Sequence, residues 1–292
     1  PLVQTLFHEH AAGDYRRAAV EWLFGRNRDG RLDVGMGENA ILCMKNKAAN
    51  EWNEYVSSLL AAESNATSRE YHAYHQLDVK DGLDAGDEAL ASAMGPDEMA
   101  QVDHADNSAP LGKVTIRVGD VMLLLKTLDK VAGLVKNVRV KVLGVRWNSV
   151  EVALPRANGV HTRHTLGRAY FRMAMKPGSP LIIVRKQIPL KHAYAISVNK
   201  SQGQTMSKVL FDARGLAFSG GQQYVACSRV RTRADFAAVV GDANVMSEGS
   251  RRTLVVANVV YHELLLAMAE CSASGGKRAS EPERAPHKRG RR

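Results

Sequence analysis

The apolar positions in the first 62 residues follow the pattern of alternating helices and strands. Apolar residues recur every three or four positions in 15–24, and Gly25 follows where a helix would end. The run 40–44 is uniformly apolar, which is typical of a buried strand, and a second helical pattern occupies 48–62. A strand that leads directly into a helix predicts an α/β unit.

Residues 63–112 show no comparable period. Acidic residues are scattered there among Ala, Gly, Ser and His, so we predict an acidic loop or a partly disordered insertion. The pair Asp97 and Glu98 follows no apolar strand, unlike the acidic pair that holds Mg²⁺ in ATPases. We therefore assign no metal to it.

Alternating apolar and polar positions begin near position 114 and predict strands. We assign 113–129 to a strand segment of the α/β unit. Several short alternating runs with polar turns in 130–190 predict a small β-barrel insertion of the size of an SH3-like module. In 191–268 the α/β pattern returns, and it ends in a helical run at 254–268.

The chain carries a net charge of +10, and much of that charge lies at one end. Between Lys277 and Arg292, seven Lys and Arg residues stand against two Glu among Pro, Ser and Gly. We predict that 269–292 is a disordered basic tail. Such a tail favours a nuclear location, with mitochondria as the alternative, although a solubilising end without a role has the same composition.

The sequence indicates neither a membrane segment nor a metal site. No stretch approaches the roughly 20 consecutive apolar residues that a spanning helix needs, so we expect no membrane partner. Cys43, Cys227 and Cys271 lie far apart and form no C-x-x-C pair, which gives no metal site. The first residue is Pro1 rather than Met, and we expect a piece of a longer protein.

The first candidate for chemistry is the stretch 192–205, in which an apolar strand leads into the sequence NKSQGQT. Ser, Gln and Thr offer neutral donors and acceptors to phosphate or sugar oxygens. Gly203 lets the backbone approach a ligand closely. A polar connection that binds nothing is the alternative.

The second candidate is the stretch 219–233, in which GQQYVACSR is followed by two more arginines at alternate positions. An arginine forks onto phosphate oxygens, so one such residue can stabilise the charge that develops on a transferred phosphoryl group. A solvated basic helix end is the alternative, because cations suit that end of the helix dipole.

Together the two stretches resemble the fifth and sixth motifs of superfamily 1B DNA helicases, most closely the Pif-type (petite integration frequency) helicases and their Helitron-transposon relatives. Their order and spacing both match. The stretch VGDVMLLLKTLD at 118–129 resembles a further part of these proteins, and AILCMKNKAANEWNEYV at 40–56 resembles their fourth motif. The resemblance implies an α/β fold: a second RecA-like domain, with a mostly parallel sheet and flanking helices, interrupted by the SH3-like β-barrel.

The resemblance also implies a function, that of a 5′-to-3′ DNA helicase that uses ATP and Mg²⁺ and acts on single-stranded or forked DNA. We expect a monomer. Arg229 would be an arginine finger that reaches the γ-phosphate of ATP on the other RecA-like domain, and Gln222 and Tyr224 would support the packing of its motif. The resemblance implies nucleotide contacts for Gly203, Gln204, Gln222 and Arg229. It implies DNA contacts for Asn46, Lys200, Ser201, Gln202 and Thr205.

One motif of these helicases does not occur in the 292 residues, namely the phosphate loop G-x-x-x-x-G-K-[ST]. Phosphoryl transfer needs that loop, the metal and the finger together. We therefore expect little ATP hydrolysis from this chain alone, with ATP and Mg²⁺ held mainly by the first RecA-like domain. The alternative is a non-catalytic single-stranded nucleic-acid-binding protein or a relic of a transposon helicase.

Overall fold

The computed structural model describes residues 5–8, 13–79, 84–101, 109–155, 159–175, 180–214, 221–241, 245–248 and 251–254. The predicted basic tail lies outside these residues. So does the helix predicted at 254–268, except for Leu254, which ends a strand.

The helices include both of those predicted near the start of the chain. They are α1 (Tyr15–Phe24), α2 (Asn46–Glu63), α3 (Ala85–Ala93), α4 (Pro96–Gln101) and α5 (Gln222–Cys227). The strands of the first half are β1 (Thr5–His8), β2 (Ala40–Cys43), β3 (Ser68–His72), β4 (Tyr74–Val79), β5 (Lys113–Arg117), β6 (Val121–Leu124) and β7 (Arg139–Val145). The strands of the second half are β8 (Ser149–Pro155), β9 (His161–Gly167), β10 (Ala169–Ala174), β11 (Leu181–Gln187), β12 (Leu190–His192), β13 (Ala195–Ser197), β14 (Val209–Asp212), β15 (Phe236–Val240), β16 (Val245–Glu248) and β17 (Arg251–Leu254).

A five-stranded parallel sheet forms the first structural unit, in the order β1-β15-β14-β2-β13. Strands β2, β13, β14 and β15 are buried at every position. Parallel sheets covered on both faces require such uniformly apolar strands, because no side chain points to water. The mixed α/β fold and its parallel sheet are therefore as predicted, although β1 and β14 have no counterpart among the predicted elements.

Helices α1 and α2 cover this sheet with their apolar faces. In α2 the buried side chains recur every three or four residues: Ala49, Trp52, Asn53, Val56 and Leu60. Asn53 is the polar member of this face, and it is satisfied because it bonds both the N–H and the C=O of Ala195, at 2.9 and 2.8 Å. Helix α2 thereby fixes the position of β13.

Antiparallel strands form the second structural unit. One sheet has the order β12-β6-β7-β8-β9, a second has the order β10-β11-β4, and β3 pairs with β5. The assignment of the segment 113–129 to the α/β unit is wrong for the pairing of its strands, although Val121, Leu123 and Leu125 pack into the core of the parallel sheet. Strand β5 pairs antiparallel with β3, and β6 pairs antiparallel with β12 and β7. The antiparallel unit therefore extends well outside 130–190.

The prediction of an acidic loop at 63–112 is also wrong for the part of it that the structure describes. This part contains β3, β4, α3 and α4, and β4 pairs with β11, about a hundred residues later in the chain. Arg185 of β11 is fully buried and donates to the carbonyl oxygens of Pro110 and Met99, at 2.7 and 3.0 Å. Its Nε also donates to His75 Nε2 at 2.9 Å. This buried guanidinium fixes α4 and β4 to the sheet, since an unpaired buried charge would be costly.

A buried carboxylate connects the two units. Asp120, between β5 and β6, is 1% exposed and accepts hydrogen bonds from the Tyr194 hydroxyl at 2.7 Å and the Arg117 N–H at 2.8 Å. His192 Nε2 lies 3.3 Å from the same carboxylate. Burial alone would raise the pKa of Asp120, but the hydrogen bonds with His192 and Tyr194 hold it below its usual value. The contact fixes the approach to β13, where the predicted site begins.

None of the described helices is long and apolar enough to cross a membrane.

Candidate functional site

The NKSQGQT stretch lies at the carboxyl end of β13, on the edge of the parallel sheet. It forms a short 3₁₀ helix, Val198–Ser201, and then a turn. Ligands of open α/β sheets bind outside the carboxyl ends of the strands, because the connecting loops meet there. The structure therefore places the predicted loop where this fold offers a site.

Three residues of the loop shape it from within. Ser201 is fully buried, and its hydroxyl donates to the Val198 carbonyl at 2.7 Å. Gly203 has a φ of +75°, a conformation that costs other residues energy. The side chain of Gln204 folds back onto the loop, since its amide donates to the Lys200 carbonyl at 2.9 Å. Of the predicted DNA contacts, Ser201 thus acts inside the loop, whereas Gln202 and Thr205 are exposed.

The sixth-motif stretch forms α5, a short helix that starts after Gly221 in a left-handed conformation. Gln222 is buried at the start of the helix. Tyr224 is 75% exposed, so the expectation that its side chain supports packing is wrong. The helical repeat explains this result, because Tyr224 lies between the two buried positions Gln222 and Ala226 and points away from both.

Arg229 joins the two motifs. Its Nη1 donates to the carbonyl oxygens of Ser201 and Gln204, at 3.3 and 3.2 Å, and its Nε donates to Val225 at 2.9 Å. The Arg229 carbonyl in turn accepts from the Met206 N–H at 2.9 Å. The predicted finger therefore lies against the fifth-motif loop, where its guanidinium is satisfied by main-chain oxygens.

A groove of about 1260 Å³ runs beside this loop. The first wall is the loop itself: Asn199, Lys200, Gln202, Gln204 and Thr205. The opposite wall comes from the antiparallel unit, with the β6–β7 connection 135–139 and Pro155. Arg231, Asp235 and Glu38 also line the groove. The groove is therefore formed by residues of both structural units.

Cations outnumber acids among the described residues that line the groove. The cations are Lys136, Arg139, Lys200 and Arg231, and the acids are Glu38 and Asp235. Arg139 is buried and donates to the Asn39 carbonyl at 2.8 Å. Burial lowers the pKa of Arg139 to about 10, which leaves it charged at neutral pH. An excess of cations attracts a polyanion.

Sequence reasoning missed the second wall of this groove. No site residue was predicted in the stretch 135–139, and only the fold brings it into the lining of the same groove as the NKSQGQT loop. Its turn is defined by the structure, in which Asn137 adopts a positive φ of 70°. Arg231 also lies in the sixth-motif stretch, but alternate arginines alone did not indicate which of them lines a groove.

Asn46, from the predicted fourth-motif resemblance, lies at the start of α2. It lines a small cleft with Ser197 and Lys200, at the end of β13. In the same cleft the Lys191 ammonium donates to the Asn50 side chain at 2.7 Å. The structure therefore places Asn46 near the fifth-motif loop, although the large groove is lined by other residues.

The described residues contain no group of three or more His, Cys, Asp or Glu side chains that could hold a metal ion. Hard cations such as Mg²⁺ need several oxygen ligands. The described part of the chain therefore shows no preformed cluster of such ligands.

The fold and the site define an α/β protein with a polar loop at the edge of a parallel sheet and a basic groove beside it. The chain is 35% identical over 128 residues to the ATP-dependent DNA helicase PIF1 of Danio rerio, a match that covers 44% of this chain and 19% of that protein. It is 48% identical over 54 residues to the protein of the same name from Candida albicans, covering 18% of this chain and 6% of that protein. No family model matches.

Solved structures resemble the fold as well. A structure that describes DNA unwinding at forked dsDNA by two coordinating Pif1 helicases has a TM-score of 0.51 at 19% identity and covers 92% of this chain and 51% of that chain. A Bacteroides Pif1 helicase in complex with ADP-AlF3 and ssDNA has a TM-score of 0.51 at 17% identity, covering 91% and 52%. The resemblance to Pif-type helicases is confirmed. The chain spans about half the length of these structures and about a fifth of the Danio rerio protein.

Proposed function

We propose that this chain is the part of an ATP-dependent 5′-to-3′ DNA helicase that holds single-stranded DNA and supplies an arginine to the nucleotide. The relatives that match it are named ATP-dependent DNA helicases. In this proposal the parallel sheet is the second RecA-like domain and the antiparallel strands contain the SH3-like module.

The observation that carries the proposal is the groove beside the NKSQGQT loop. Its loop wall presents Lys200, Gln202 and Thr205, and its second wall presents Lys136. A lysine attracts a phosphate, and neutral side chains donate to phosphate or sugar oxygens without reading bases. The groove is therefore suited to a single strand held by its backbone, which a motor that moves along DNA requires.

In this proposal Arg229 connects the single-stranded DNA in the groove to the nucleotide. Its guanidinium now donates to neutral carbonyl oxygens of Ser201 and Gln204. A phosphate oxygen is a stronger acceptor than a carbonyl, because charge-assisted hydrogen bonds are about twice as strong as neutral ones. An arginine that left these carbonyls for a phosphate would release the loop that lines the groove. We assign Mg²⁺ and the remaining phosphate contacts to residues other than those described.

The test is binding of single-stranded oligothymidylate to the 292-residue chain, followed by fluorescence anisotropy at several salt concentrations. We expect affinity to fall steeply with salt, since each phosphate contact releases counterions. Lys200→Gln combined with Thr205→Val should weaken binding about tenfold at low salt. It should also reduce the slope of log affinity against log salt concentration by about one. Lys47→Gln, which removes an exposed lysine of α2 outside the groove, is the matched control. Equal affinity for all three proteins would contradict the proposal.

A second candidate is a non-catalytic nucleic-acid-binding protein or a relic of a transposon helicase. It is favoured by one sequence observation, namely that no phosphate loop occurs in the 292 residues. The intact mass and N-terminal peptide of the endogenous protein distinguish the candidates. A longer product with a G-K-[ST] loop supports the helicase, whereas a product that starts near Pro1 and binds DNA without ATP hydrolysis supports the binding protein. Absence of binding at low salt would indicate the relic.

A further inference from the structure

The three-stranded sheet β10-β11-β4 has one covered face and one open face. On the covered face, Met173 and Ile183 are buried against Met99 of α4. On the open face, alternate residues of β10 are exposed, among them Tyr170 and Arg172. The apolar core explains the first face, but it gives no reason for large aromatic side chains on the second.

Two exposed tyrosines lie in one row across this open face. Tyr170 of β10 is paired with Lys186 of β11, and Lys186 is paired with Tyr74 of β4. Tyr170 is 57% exposed and Tyr74 is 60% exposed. Neighbouring strands are about 4.8 Å apart, so the two tyrosines stand about 10 Å apart on the same surface.

A cation accompanies each ring. The Lys186 ammonium lies 5.1 Å from the centre of the Tyr170 ring, and the Arg168 guanidinium lies 4.8 Å from the centre of the Tyr74 ring. Arg168 is held in place because its Nη1 donates to the carbonyl of His72 and the side chain of Gln187. Lys126 donates to the Tyr170 carbonyl oxygen at 3.0 Å, but its ammonium lies 5.9 Å from the centre of the Phe171 ring, which belongs to the covered face. The open face thus combines accessible aromatic rings with positive charge.

From this combination we infer that the open face of β10-β11-β4 is a second binding surface for single-stranded nucleic acid, in which bases stack on Tyr74 and Tyr170 and phosphates contact Lys186. Stacking on an aromatic ring is tolerant of base identity, because every base has a π-face, and nearby cations neutralise the backbone. An antiparallel sheet that presents aromatic side chains is a rigid platform for this purpose. Arg172 adds charge, although Asp78 forms an ion pair with it.

The surface is separate from the groove of the proposed function, since none of its residues lines that groove. Either site can therefore fail without the other. The shared chemistry does not distinguish DNA from RNA, so the experiment uses both oligothymidylate and oligouridylate. Stronger binding of one of them identifies the sugar, and binding of either one through the tyrosines supports the inference.

The experiment is photocross-linking of the 292-residue chain to oligonucleotides that carry 5-iodouracil, with peptide mapping. We expect cross-links at Tyr74 or Tyr170. Cross-links only at 199–207 would overturn this inference and leave the groove intact. Absence of cross-links at both tyrosines would likewise overturn this inference, while the groove is judged by the affinity of the Lys200→Gln, Thr205→Val variant.

Variants provide the second measurement. Tyr74→Ala combined with Tyr170→Ala should weaken oligothymidylate binding about fivefold or more, because stacking of one base contributes about that factor. Trp147→Ala is the matched control, because Trp147 is 76% exposed and Arg69 lies 5.3 Å from its ring centre on another part of the chain. If the tyrosine variant unfolds, as judged by circular dichroism, the cross-linking result for the unaltered chain decides. Equal affinity for a folded tyrosine variant and the control would overturn the inference.

Discussion

The guanidinium Nη1 of Arg229 donates a hydrogen bond to the main-chain carbonyl of Gln204, 3.2 Å away. The two residues belong to different motifs, which are joined a second time by the bond from the Met206 N–H to the Arg229 carbonyl. The loop that lines the groove and the helix end that carries the arginine therefore cannot move independently. A change at the arginine has a direct route to the groove.

Replacing this arginine should affect both sides of that connection. In the complete enzyme we expect Arg229→Ala to abolish ATP turnover, because the loss of a finger of this kind costs a factor of about 10³ or more. A coupled phosphate-release assay measures it. Arg233→Ala is the matched control, since Arg233 is exposed nearby and lines neither the groove nor the loop. Wild-type turnover in Arg229→Ala would refute the assignment.

The backbone of Gly203 allows a second prediction. Its φ of +75° lies in the left-handed region, and a Cβ at this position would meet no atom within 4 Å. Gly203→Ala should therefore lower the free energy of unfolding by about 1 kcal/mol through backbone strain alone. Gly203→Asn should cost less, because Asn tolerates this region. Urea denaturation measures the free energy of unfolding of the two variants. An equal decrease in both would show that steric crowding rather than the φ angle determines the effect.

Asp120 predicts a dependence of stability on pH. Its pKa in the folded protein lies below the usual value, so the unfolded chain binds the proton more readily than the folded one. The contribution of Asp120 is therefore complete above the unfolded pKa of about 4 and is lost as the pH falls through the lower folded pKa. Asp120→Asn should lower the free energy of unfolding at pH 7. Near pH 3 the free energies of unfolding of the variant and the unaltered protein should differ less. A constant difference between these two pH values would contradict the prediction.

The Tyr194 hydroxyl supplies the partner of that carboxylate. Tyr194→Phe removes a buried hydrogen bond to a charged group without leaving a cavity, and it should cost about 1.5–3 kcal/mol of stability. The protein should unfold at a lower urea concentration with an unchanged slope. Tyr224→Phe is the control, because Tyr224 is 75% exposed and its hydroxyl can bond to water in either state. A similar midpoint for both variants would contradict a role of Tyr194 in joining the two units.

Local sequence patterns predicted the helices and strands whose buried positions recur at a regular spacing. Helix α1 has the bounds predicted for it, and β2 and α2 agree within a few residues. In each case the apolar period reports which face is buried, so neighbouring residues contain the necessary information. The two motif stretches were also correctly placed after a strand and on a helix, because strand, loop and small-residue helix differ in composition.

The segment 63–112 shows the limit of this reasoning. Strand β4 has half-buried residues on both faces; one face is covered only because α4 packs there, and its edge pairs with β11. Its stability depends on Arg185, more than a hundred residues away from His75. No local period can report a partner at such a distance, and so the acidic composition suggested a loop instead.

The sequence by itself determined the class of fold, the order of the strands and helices around the two motifs, and the resemblance that the relatives confirm. Only the tertiary structure decided that the arginine of the sixth motif lies on the fifth, that 135–139 forms the second wall of a basic groove, and that two tyrosines share one open sheet face. Each of these results depends on residues that are distant in the chain. Their contacts arise from strand register and packing, which balance many weak interactions over the whole molecule and leave no local pattern.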